Sequence, residues 1–448
     1  MSQAIWVILG AGAIGLADGG ANLKEHPQSG QITHVQIELK AEGLSKPPVP
    51  EGRPGARPLP IKVHGRLDAW EKVVTLDESG AVRRVVRQVN QAAAAINAEL
   101  RPTSSSLRPD LSLLVVERRD EGPYVFSPSG PLTRSELEVT QWPADPLSLP
   151  AFLPEKAVQV GDRWKVRPEA ARSLSGYDAL ATNGLEATVE SIDAKTARIK
   201  LSGTIEGATL GAEGSITCQG YFLFDREGAR IVRLEAQRRE VRKPGQVEAG
   251  LDIKSTLTVA RAPAEAPAGL TDKALAGVTL TEGPGLGMLE FQAPKGTFRL
   301  LHDRDWHVFY DDEGQTVLKR LDHGDLVAQC NLAIGPQAGK GRHQDPKQFQ
   351  EDVRGALGGR FGKFLFAGPM SGQDDGLFRY RVAVRGEVDK VPVLWIYYLI
   401  ANADGHQLLA TFTLAESRSE RFGDQDLAII GSLDFPAKTD APASRKDR

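Results

Sequence analysis

The sequence is poor in the residues that most often carry covalent or redox chemistry. Its 448 residues include only two cysteines, Cys218 and Cys330, and aromatic residues make up 6%. Two cysteines so far apart in the chain do not define a disulfide framework, and each is expected to be a small buried hydrophobic residue. The cysteines therefore do not indicate a redox compartment.

The chain also lacks an excess of charge of either sign. Its 55 Lys and Arg residues stand against 58 Asp and Glu residues, which gives a formal net charge of -3. No global field would attract such a protein to nucleic acid or to anionic lipid, so a nucleic-acid function is disfavoured. With 41% hydrophobic and 25% charged residues, the composition is that of a globular protein. The length predicts two or three domains.

Long apolar runs are rare, and the clearest one is AIWVILGAGAIGLA at residues 4–17. It has the length of the apolar core of a signal peptide and is too short to span a bilayer as a helix. Gly15 and Ala17 supply small residues at the cleavage position before Asp18, although no Lys or Arg precedes the run. We predict that residues 1–17 are a signal peptide and that the mature protein is secreted or periplasmic, with no stable membrane insertion after signal removal.

The same run permits a second interpretation. Residues 5–9 resemble a buried strand, and Gly10, Gly12 and Gly15 form a GxGxxG loop whose amides would hold a pyrophosphate. Glu38 lies roughly where a ribose-binding carboxylate is expected. A dinucleotide-binding oxidoreductase using this GAGAIG loop is therefore the alternative hypothesis.

The sequence after the loop argues against that alternative. A dinucleotide fold needs a helix of several turns there, but Gly19, Gly20 and His26-Pro27 interrupt it. The fold also needs alternating strands and crossover helices, and residues 46–60 form a proline-rich loop instead. The signal-peptide interpretation is preferred.

Residues 31–260 have the pattern of strands separated by turns. Apolar and polar residues alternate over residues 197–202, as in a strand with one buried face, and similar runs follow near residues 216–222, 232–236 and 253–259. Turn sequences DREG and KPG separate these runs. The pattern predicts an antiparallel meander.

Two earlier segments are less regular. Apolar residues recur at helical spacing from Val82 to Leu100, which predicts a helix, although the Val-rich first half could equally be a strand that leads into a helix at Asn90 to Leu100. A strand is expected within residues 153–166, anchored after the turn at Gly161-Asp162.

Residues after 260 change in composition. Small residues and prolines over residues 263–288 predict an extended connection, and the small, charged tail is expected to be disordered. The predicted organisation is a signal peptide at 1–17, a β-rich antiparallel domain at 18–262, a linker at 263–288, a second domain at 289–436 and a disordered tail at 437–448.

The second domain has mixed helix and strand signals. Strands are expected near residues 297–301, 305–310, 316–321, 378–384, 393–401 and 407–414. A helix is expected to begin at Asp345 as N-cap, with Pro346 as its first residue and Gly358 after its end. A last helix is expected at about residues 420–431. This order predicts an α+β sandwich.

Residues 298–435 resemble the PsbP-like α/β/α sandwich. The features that carry the resemblance are Asp305-Trp306, the acidic-capped helix, the strand Trp395 to Tyr398, a DG hairpin and a final helix followed by a short strand. The blocks LTRSELEV and LPEKAVQVGDRWKV look like uncharacterised bacterial secreted proteins whose curved sheet is similar to that of lipoprotein carriers. The resemblance implies non-catalytic binding or scaffolding, and it supplies no catalytic residues.

Motifs for chemistry are scarce. Neither a GxSxG elbow nor an HExxH zinc helix occurs, so no catalytic residue is assigned. Asp303, Asp305 and His307 are the candidates for metal ligands, because alternate residues share one face of an extended strand. The five arginines of one hairpin are interpreted as the solvated face of a sheet. They are Arg230, Arg233, Arg238, Arg239 and Arg242.

The predicted fold class is α+β and mostly β, with an N-terminal curved antiparallel sheet or half-barrel domain and a C-terminal α/β/α sandwich with an antiparallel sheet. The predicted function is that of an exported, non-catalytic binding or structural protein of the cell envelope, which holds an apolar ligand in the N-terminal domain or binds an unknown protein. No cofactor, no metal and no nucleic-acid partner is expected.

Overall fold

The structure, a computed structural model, describes residues 20–46, 57–98, 102–370 and 375–436. The predicted signal peptide with Gly10, Gly12 and Gly15, and the predicted tail, lie outside the described residues. Strands dominate the described part, and they form antiparallel sheets. The mostly β character predicted from the alternating pattern is confirmed. None of the helices in this part has the length and apolar character needed to cross a membrane.

The first part of the chain builds one large sheet. Its strands are β1 (Ile32–Lys46), β2 (Leu59–Leu76), β3 (Val82–Ala98), β4 (Thr103–Ser106), β5 (Leu113–Arg119), β6 (Gly122–Phe126), β8 (Arg163–Lys165), β9 (Ala179–Asn183), β10 (Glu186–Ile192), β11 (Thr196–Thr209), β12 (Ala212–Asp225), β13 (Arg230–Arg242) and β14 (Gly250–Pro263). The short strand β7 (Leu132–Thr133) follows β6 in the chain but belongs to another sheet. The order is β6-β5-β3-β2-β1-β14-β13-β12-β11-β10-β8, with β4 beside β3 and β9 beside β11. The expected meander is present as β10 to β14.

The large sheet has an apolar inner face and a polar outer face because its strands alternate. In β1, Val35 and Ile37 are buried, whereas Glu38 and Lys40 point to the outer side. The inner face is covered by α1 (Arg134–Thr140), a 3₁₀ segment (Pro146–Phe152) and α2 (Pro168–Ser175). Their apolar side chains, including Leu137, Leu147, Leu149, Phe152 and Leu174, form one core with the strands.

Residues 90–98 are strand rather than helix, which corrects the helical alternative for residues 90–100. β3 pairs with β2 through Ala98, and Ala94 lies opposite Gly65. The Trp142 ring lies over Gly65, where a Cβ would approach Cη2 of the ring to 1.9 Å. Small residues are needed beneath the ring, so sheet pairing and packing override the helical preference of the alanine run.

The strand expected after the Gly161-Asp162 turn is present as β8, which pairs antiparallel with β10, but it is short. Leu153 ends the 3₁₀ segment, Val158 forms only an isolated bridge with Ala21, and the strand β8 is three residues long. The prolines at positions 150 and 154 explain why the chain before β8 forms no longer strand, because proline cannot donate a hydrogen bond to a sheet.

The segment between β14 and the next strand packs on the outer face of the large sheet. It contains a 3₁₀ turn (Ala268–Leu270) and α3 (Asp272–Leu275). Leu270 is fully buried against Val86, Val115 and Phe126. The interpretation of this segment as an extended connection is therefore wrong. Apolar side chains on the outer face of β2 and β3 require a cover, and the segment supplies it.

The second part of the chain forms two smaller sheets. β15 (Leu289–Gln292) lies between β16 (Arg299–His302) and β7, and its parallel pairing with β7 joins the two parts of the chain. The remaining strands are β17 (Trp306–Asp311), β18 (Gln315–Asp322), β19 (Asp325–Ile334), β20 (Phe361–Pro369), β21 (Phe378–Val388), β22 (Val391–Ala401) and β23 (Gln407–Ala415). They form an antiparallel sheet in the order β17-β18-β19-β23-β22-β21-β20.

Short helices lie on both faces of the seven-stranded sheet. They are α4 (Pro346–Leu357), α5 (Ser419–Phe422) and α6 (Gln425–Ser432). α4 packs on the face that carries Val382 and Trp395, and α6 on the face that carries Tyr398 and Phe412. Asp345 caps α4 as predicted, because its Oδ1 accepts hydrogen bonds from two backbone N–H groups at 3.0 Å. The expected last helix is split into α5 and α6 at Gly423, which adopts φ +57°.

Candidate functional site

A cavity of about 550 Å³ opens at one end of the inner face, and we call it the inner cavity. Four stretches supply most of its lining: the segment before β1, the end of β2 and the start of β3 with their turn, the 3₁₀ segment with the residues after it, and the turn between β12 and β13. Single side chains are added by Thr33, Arg118, Arg167 and Arg261. Its volume lies within the range typical of sites for small ligands. The first stretch is held in place by reciprocal backbone hydrogen bonds of 2.8 and 2.9 Å between Ala21 and Val158.

The walls of the inner cavity are largely apolar. The lining aliphatic residues are Leu23, Val73, Leu76, Val82, Leu147 and Leu153, and prolines at positions 27, 146, 150 and 154 add to them. Leu23 is fully buried, and Val73 and Leu147 are nearly so. A ligand with an apolar chain would lose water-exposed surface against these walls.

A buried ion cluster fixes the side of the inner cavity that Glu71 and the 3₁₀ segment form, which we call its floor. Arg87 donates from Nε to Glu71 at 2.7 Å and from both terminal nitrogens to Asp145 at 2.8 and 2.9 Å. Asp145 also accepts from the backbone N–H of Leu147 at 3.0 Å and so caps the 3₁₀ segment. Burial alone would lower the pKa of Arg87, but the two carboxylates raise it above its ordinary value. The cluster therefore ties β2, β3 and the 3₁₀ segment together.

The rim of the inner cavity is cationic. Its lining basic residues are Lys24, Arg118, Arg167, Arg230 and Arg261. Arg261 forms an ion pair with Glu25 and donates to the carbonyl of Ile231 at 2.8 Å. Arg118 forms an ion pair with Asp77, and Arg167 donates to the carbonyl of Pro150 at 2.8 Å.

Arg230 differs from the other rim arginines. Its Nε is buried and has no hydrogen-bond partner in the part of the chain that the structure describes. Asp225 is its cross-strand neighbour, and Oδ1 of that carboxylate accepts from the backbone N–H of Glu227 at 3.2 Å, while Oδ2 lies near the guanidinium beside Gly228 without a hydrogen bond to Nε. Arg230 is thus a cation at the cavity with an unused donor.

The structure separates the candidate metal ligands Asp303, Asp305 and His307. The chain turns between β16 and β17, where the backbone N–H of Trp306 donates to the carbonyl of Asp303 at 3.1 Å. The premise of one extended strand through residues 303–307 is therefore wrong. No group of three or more His, Cys, Asp or Glu side chains within the described ranges is placed to hold a metal ion.

His302 and His307 lie in a buried contact between the two parts of the chain. Burial lowers the pKa of His302 to about 4 and that of His307 to about 3, and the charge of Arg134 lowers both further. Arg134, on α1, donates to the carbonyl of Trp306 at 2.9 Å. These histidines are neutral packing groups at physiological pH.

The arginines of the β12–β13 hairpin do not share one face, which corrects their interpretation as a single solvated stripe. Arg239 faces outward beside Asp252 at 3.4 Å. Arg238 is buried on the inner face, where it donates to the carbonyl of Leu174 at 2.6 Å and to Ser255 Oγ at 3.2 Å. Burial lowers the pKa of Arg238. The alternation of side chains along a strand already places Arg238 and Arg239 on opposite faces, and the interpretation as one solvated stripe did not take it into account.

A second concave surface, the polar trough, lies on the outer face. It has a volume of about 970 Å³, and its outward side chains include Lys40, Glu42, Lys62, His64, Gln237, Arg239 and Lys254. Hydrogen bonds from Lys40 and His64 hold the pKa of Glu38 beside the trough below its ordinary value. Exposed charges that pair with one another in this way are typical of the solvated face of an antiparallel sheet. The inner cavity is therefore the stronger candidate site.

The free cysteines Cys218 and Cys330 are both buried, as predicted, and lie in different sheets. Burial raises the pKa of the Cys218 thiol to about 11. A thiol with so high a pKa is not an activated nucleophile at neutral pH.

Comparison with known proteins identifies no family. No protein-family model matches the chain, and no curated protein matches it. Among solved structures, the chain is similar to one from Bacteroides thetaiotaomicron with 11% identity and a TM-score of 0.26, covering 33% of this chain and 48% of that one. The chain thus spans about half the length of that protein. Cyanobacterial PsbP (CyanoP) from Synechocystis is 16% identical with a TM-score of 0.26, covering 35% of this chain and 97% of that one. The translocator domain of autotransporter NalP from Neisseria meningitidis is 5% identical with a TM-score of 0.11 over 87% of this chain and 88% of that one.

Proposed function

We propose that this chain is an exported, non-catalytic binding protein of the cell envelope that holds a ligand with an apolar chain in the inner cavity. The observation that carries the proposal is the cavity itself, about 550 Å³ with aliphatic walls and a floor fixed by Arg87. Export is proposed from the apolar run at residues 4–17. The aliphatic part of the lining supports binding of an apolar chain.

The proposal includes a division into two domains. The large sheet with its inner cavity forms the ligand-binding domain, and residues 289–436 form a PsbP-like α/β/α sandwich that serves as an interaction module. Helices on both faces of the seven-stranded sheet support the sandwich assignment. The parallel pairing of β7 with β15 supports a fixed junction between the domains.

The alternative, a dinucleotide-binding oxidoreductase, finds less support. Its glycine loop lies outside the described residues, but its proposed ribose ligand does not. Glu38 lies within β1, an antiparallel strand, and its carboxylate bonds to Lys40 at 2.8 Å and to His64 at 3.0 Å. A ribose-binding carboxylate belongs at the carboxyl end of a parallel strand. Glu38 is therefore placed for cross-strand pairing.

Binding of a neutral apolar probe tests the proposed function. We expect N-phenyl-1-naphthylamine to bind with a rise in fluorescence and to be displaced by dodecanol. Leu153→Trp should fill the cavity and abolish binding, whereas Leu365→Trp, at an exposed position on β20, should leave binding unchanged. Circular dichroism would confirm that both variants are folded. If the wild-type protein does not bind the probe, or folded Leu153→Trp binds it equally well, the proposal is wrong.

A further inference from the structure

We infer that the ligand of the inner cavity is an anionic amphiphile, a single alkyl chain ending in a carboxylate or phosphate, whose head group pairs with Arg230. This inference rests on the proposed function and adds the chemical class of the ligand. Carboxylate and phosphate share the chemistry that a guanidinium recognises, namely anionic oxygens that accept two parallel N–H bonds.

The unused donor of Arg230 is the first support. A buried N–H without an acceptor is unfavourable, and native proteins satisfy nearly all such groups. The Arg230 Nε is buried and has no hydrogen-bond partner among the described residues, although Asp225 is its cross-strand neighbour. An anionic oxygen entering the cavity would provide the missing acceptor.

The balance of charge around the cavity is the second support. Arg261 is neutralised by Glu25, and the acidic Glu71 is engaged by Arg87. The basic rim residues left over are Lys24, Arg167 and Arg230, and the opposing carboxylates are Glu155 and Asp225, the latter beside Arg230. The free rim is therefore cationic. It would attract an anionic head group and repel a cationic one.

The arrangement of apolar and charged groups is the third support. Arg230, at the start of β13, lines the same cavity as the aliphatic side chains of Leu147 and Leu153. An amphiphile can satisfy both regions at once, with its chain against the leucines and its head at the arginine. A fully apolar ligand would leave the arginine desolvated and unpaired.

Calorimetric titration with four ligands that share a twelve-carbon chain tests the inference. The ligands are laurate, dodecyl phosphate, dodecanol and dodecyltrimethylammonium, each used below its micelle concentration. We expect laurate and dodecyl phosphate to bind roughly 10-fold or more tightly than dodecanol, as one charge-assisted pair implies, and the cationic ligand to bind least. The ratio between the two anions identifies the preferred head group.

The variant Arg230→Met completes the test. It should weaken laurate binding by roughly 10-fold and leave dodecanol binding unchanged, which also shows that the cavity is intact. The control is Arg226→Met, because Arg226 is exposed on the same turn and contacts the carbonyl of Asp193 instead of the cavity. Binding should be unaffected in this control.

The two proposals fail in different ways. If none of the four ligands binds, the proposed function is wrong. If dodecanol binds as tightly as laurate and Arg230→Met changes neither affinity, the cavity holds apolar chains but the assignment of an anionic head group is wrong.

Discussion

Arg87 shows how a single buried charge organises the candidate site. Its side chain is 1% exposed and faces two carboxylates, Glu71 at 9% and Asp145 at 4% exposure. Such a pair costs desolvation energy on both sides, so its value lies in fixing geometry as much as in net stability. Here it fixes the position of the 3₁₀ segment, which forms one wall of the inner cavity.

We predict that Arg87→Met is strongly destabilising, by about 3–5 kcal/mol, because two carboxylates would remain buried without a cation. Urea unfolding at neutral pH measures the change. The control Arg198→Met removes an exposed ion pair with Glu190 and should cost about 0–1 kcal/mol. Equal effects of the two substitutions would contradict the structural role assigned to the buried cluster.

His302 predicts a pH dependence of stability. Its pKa is lowered by burial from the ordinary 6.5 to about 4, so the folded protein holds the neutral form while the unfolded chain accepts a proton below pH 6.5. The stabilisation is complete above about pH 6.5 and is lost as the pH falls toward 4. The loss amounts to at most roughly 3 kcal/mol at pH 4.

Urea midpoints measured between pH 7 and pH 4 for the wild type and His302→Gln test this dependence. Carboxylates also titrate in this range, so the informative quantity is the difference between the two proteins. We expect the wild type to lose more stability than the variant on acidification. His406→Gln, at an exposed position on the turn before β23, should follow the wild type. Parallel curves for all three proteins would show that His302 does not contribute.

At the scale of elements, α4 is stabilised at its N-terminus by Asp345. We predict that Asp345→Ala lowers the free energy of unfolding by about 1 kcal/mol, because two backbone N–H groups lose their acceptor. Asp345→Asn keeps an acceptor and should change stability by only a few tenths of that amount. Thermal or urea unfolding distinguishes the pair. If Asp345→Asn lowers the free energy of unfolding as much as Asp345→Ala, the charge of Asp345 stabilises the helix rather than its hydrogen bonds as a cap.

Local signals predicted some elements well and long-range contacts decided the others. α4 was predictable because Asp345, Pro346 and Gly358 mark its two ends in the local sequence. The strand at residues 90–98 was not predictable, because its alanines favour a helix. Pairing with β2 and packing of the Trp142 ring over Gly65 reverse that preference, and both involve residues far away in the sequence. β19 and β20 were also missed.

The inner cavity was beyond sequence analysis for a related reason. An apolar ligand in this part of the chain was expected, but four stretches between residues 22 and 261 meet to form the cavity. The arginines of the hairpin were visible in the sequence. What distinguishes Arg230 from Arg238 is a hydrogen-bond partner supplied by Leu174, more than fifty residues away, and no local pattern contains that information.

At the scale of the whole molecule, the segment between β14 and β15 is a packed cover. Lys72 Nζ donates to the carbonyl of Leu270 at 2.9 Å and to Asp272 at 2.5 Å. We predict that trypsin cleaves native protein slowly at Lys273 despite its exposure, because cleavage requires the segment to unfold locally from the sheet.

Leu270→Ala provides the comparison, since it removes the buried anchor and should increase the cleavage rate at Lys273 several-fold. Cleavage sites and rates are read by mass spectrometry. Leu427→Ala, an exposed position on α6, should leave the rate unchanged. Rapid cleavage of the wild type at Lys273 would instead support a mobile connection.

The pairing of β1 with β14 constrains how the molecule is assembled. The first and last strands of the large sheet meet at its centre, where Thr33 pairs with Pro263. Within each half of the sheet, strands that are neighbours in sequence can pair as they appear. The pairing of β1 with β14, which joins the two halves, forms only after β14 has been synthesised or translocated. Until then both halves present an open strand edge, which is a site for misassociation. An exported chain of this design would depend on a chaperone, or on rapid release, during that interval.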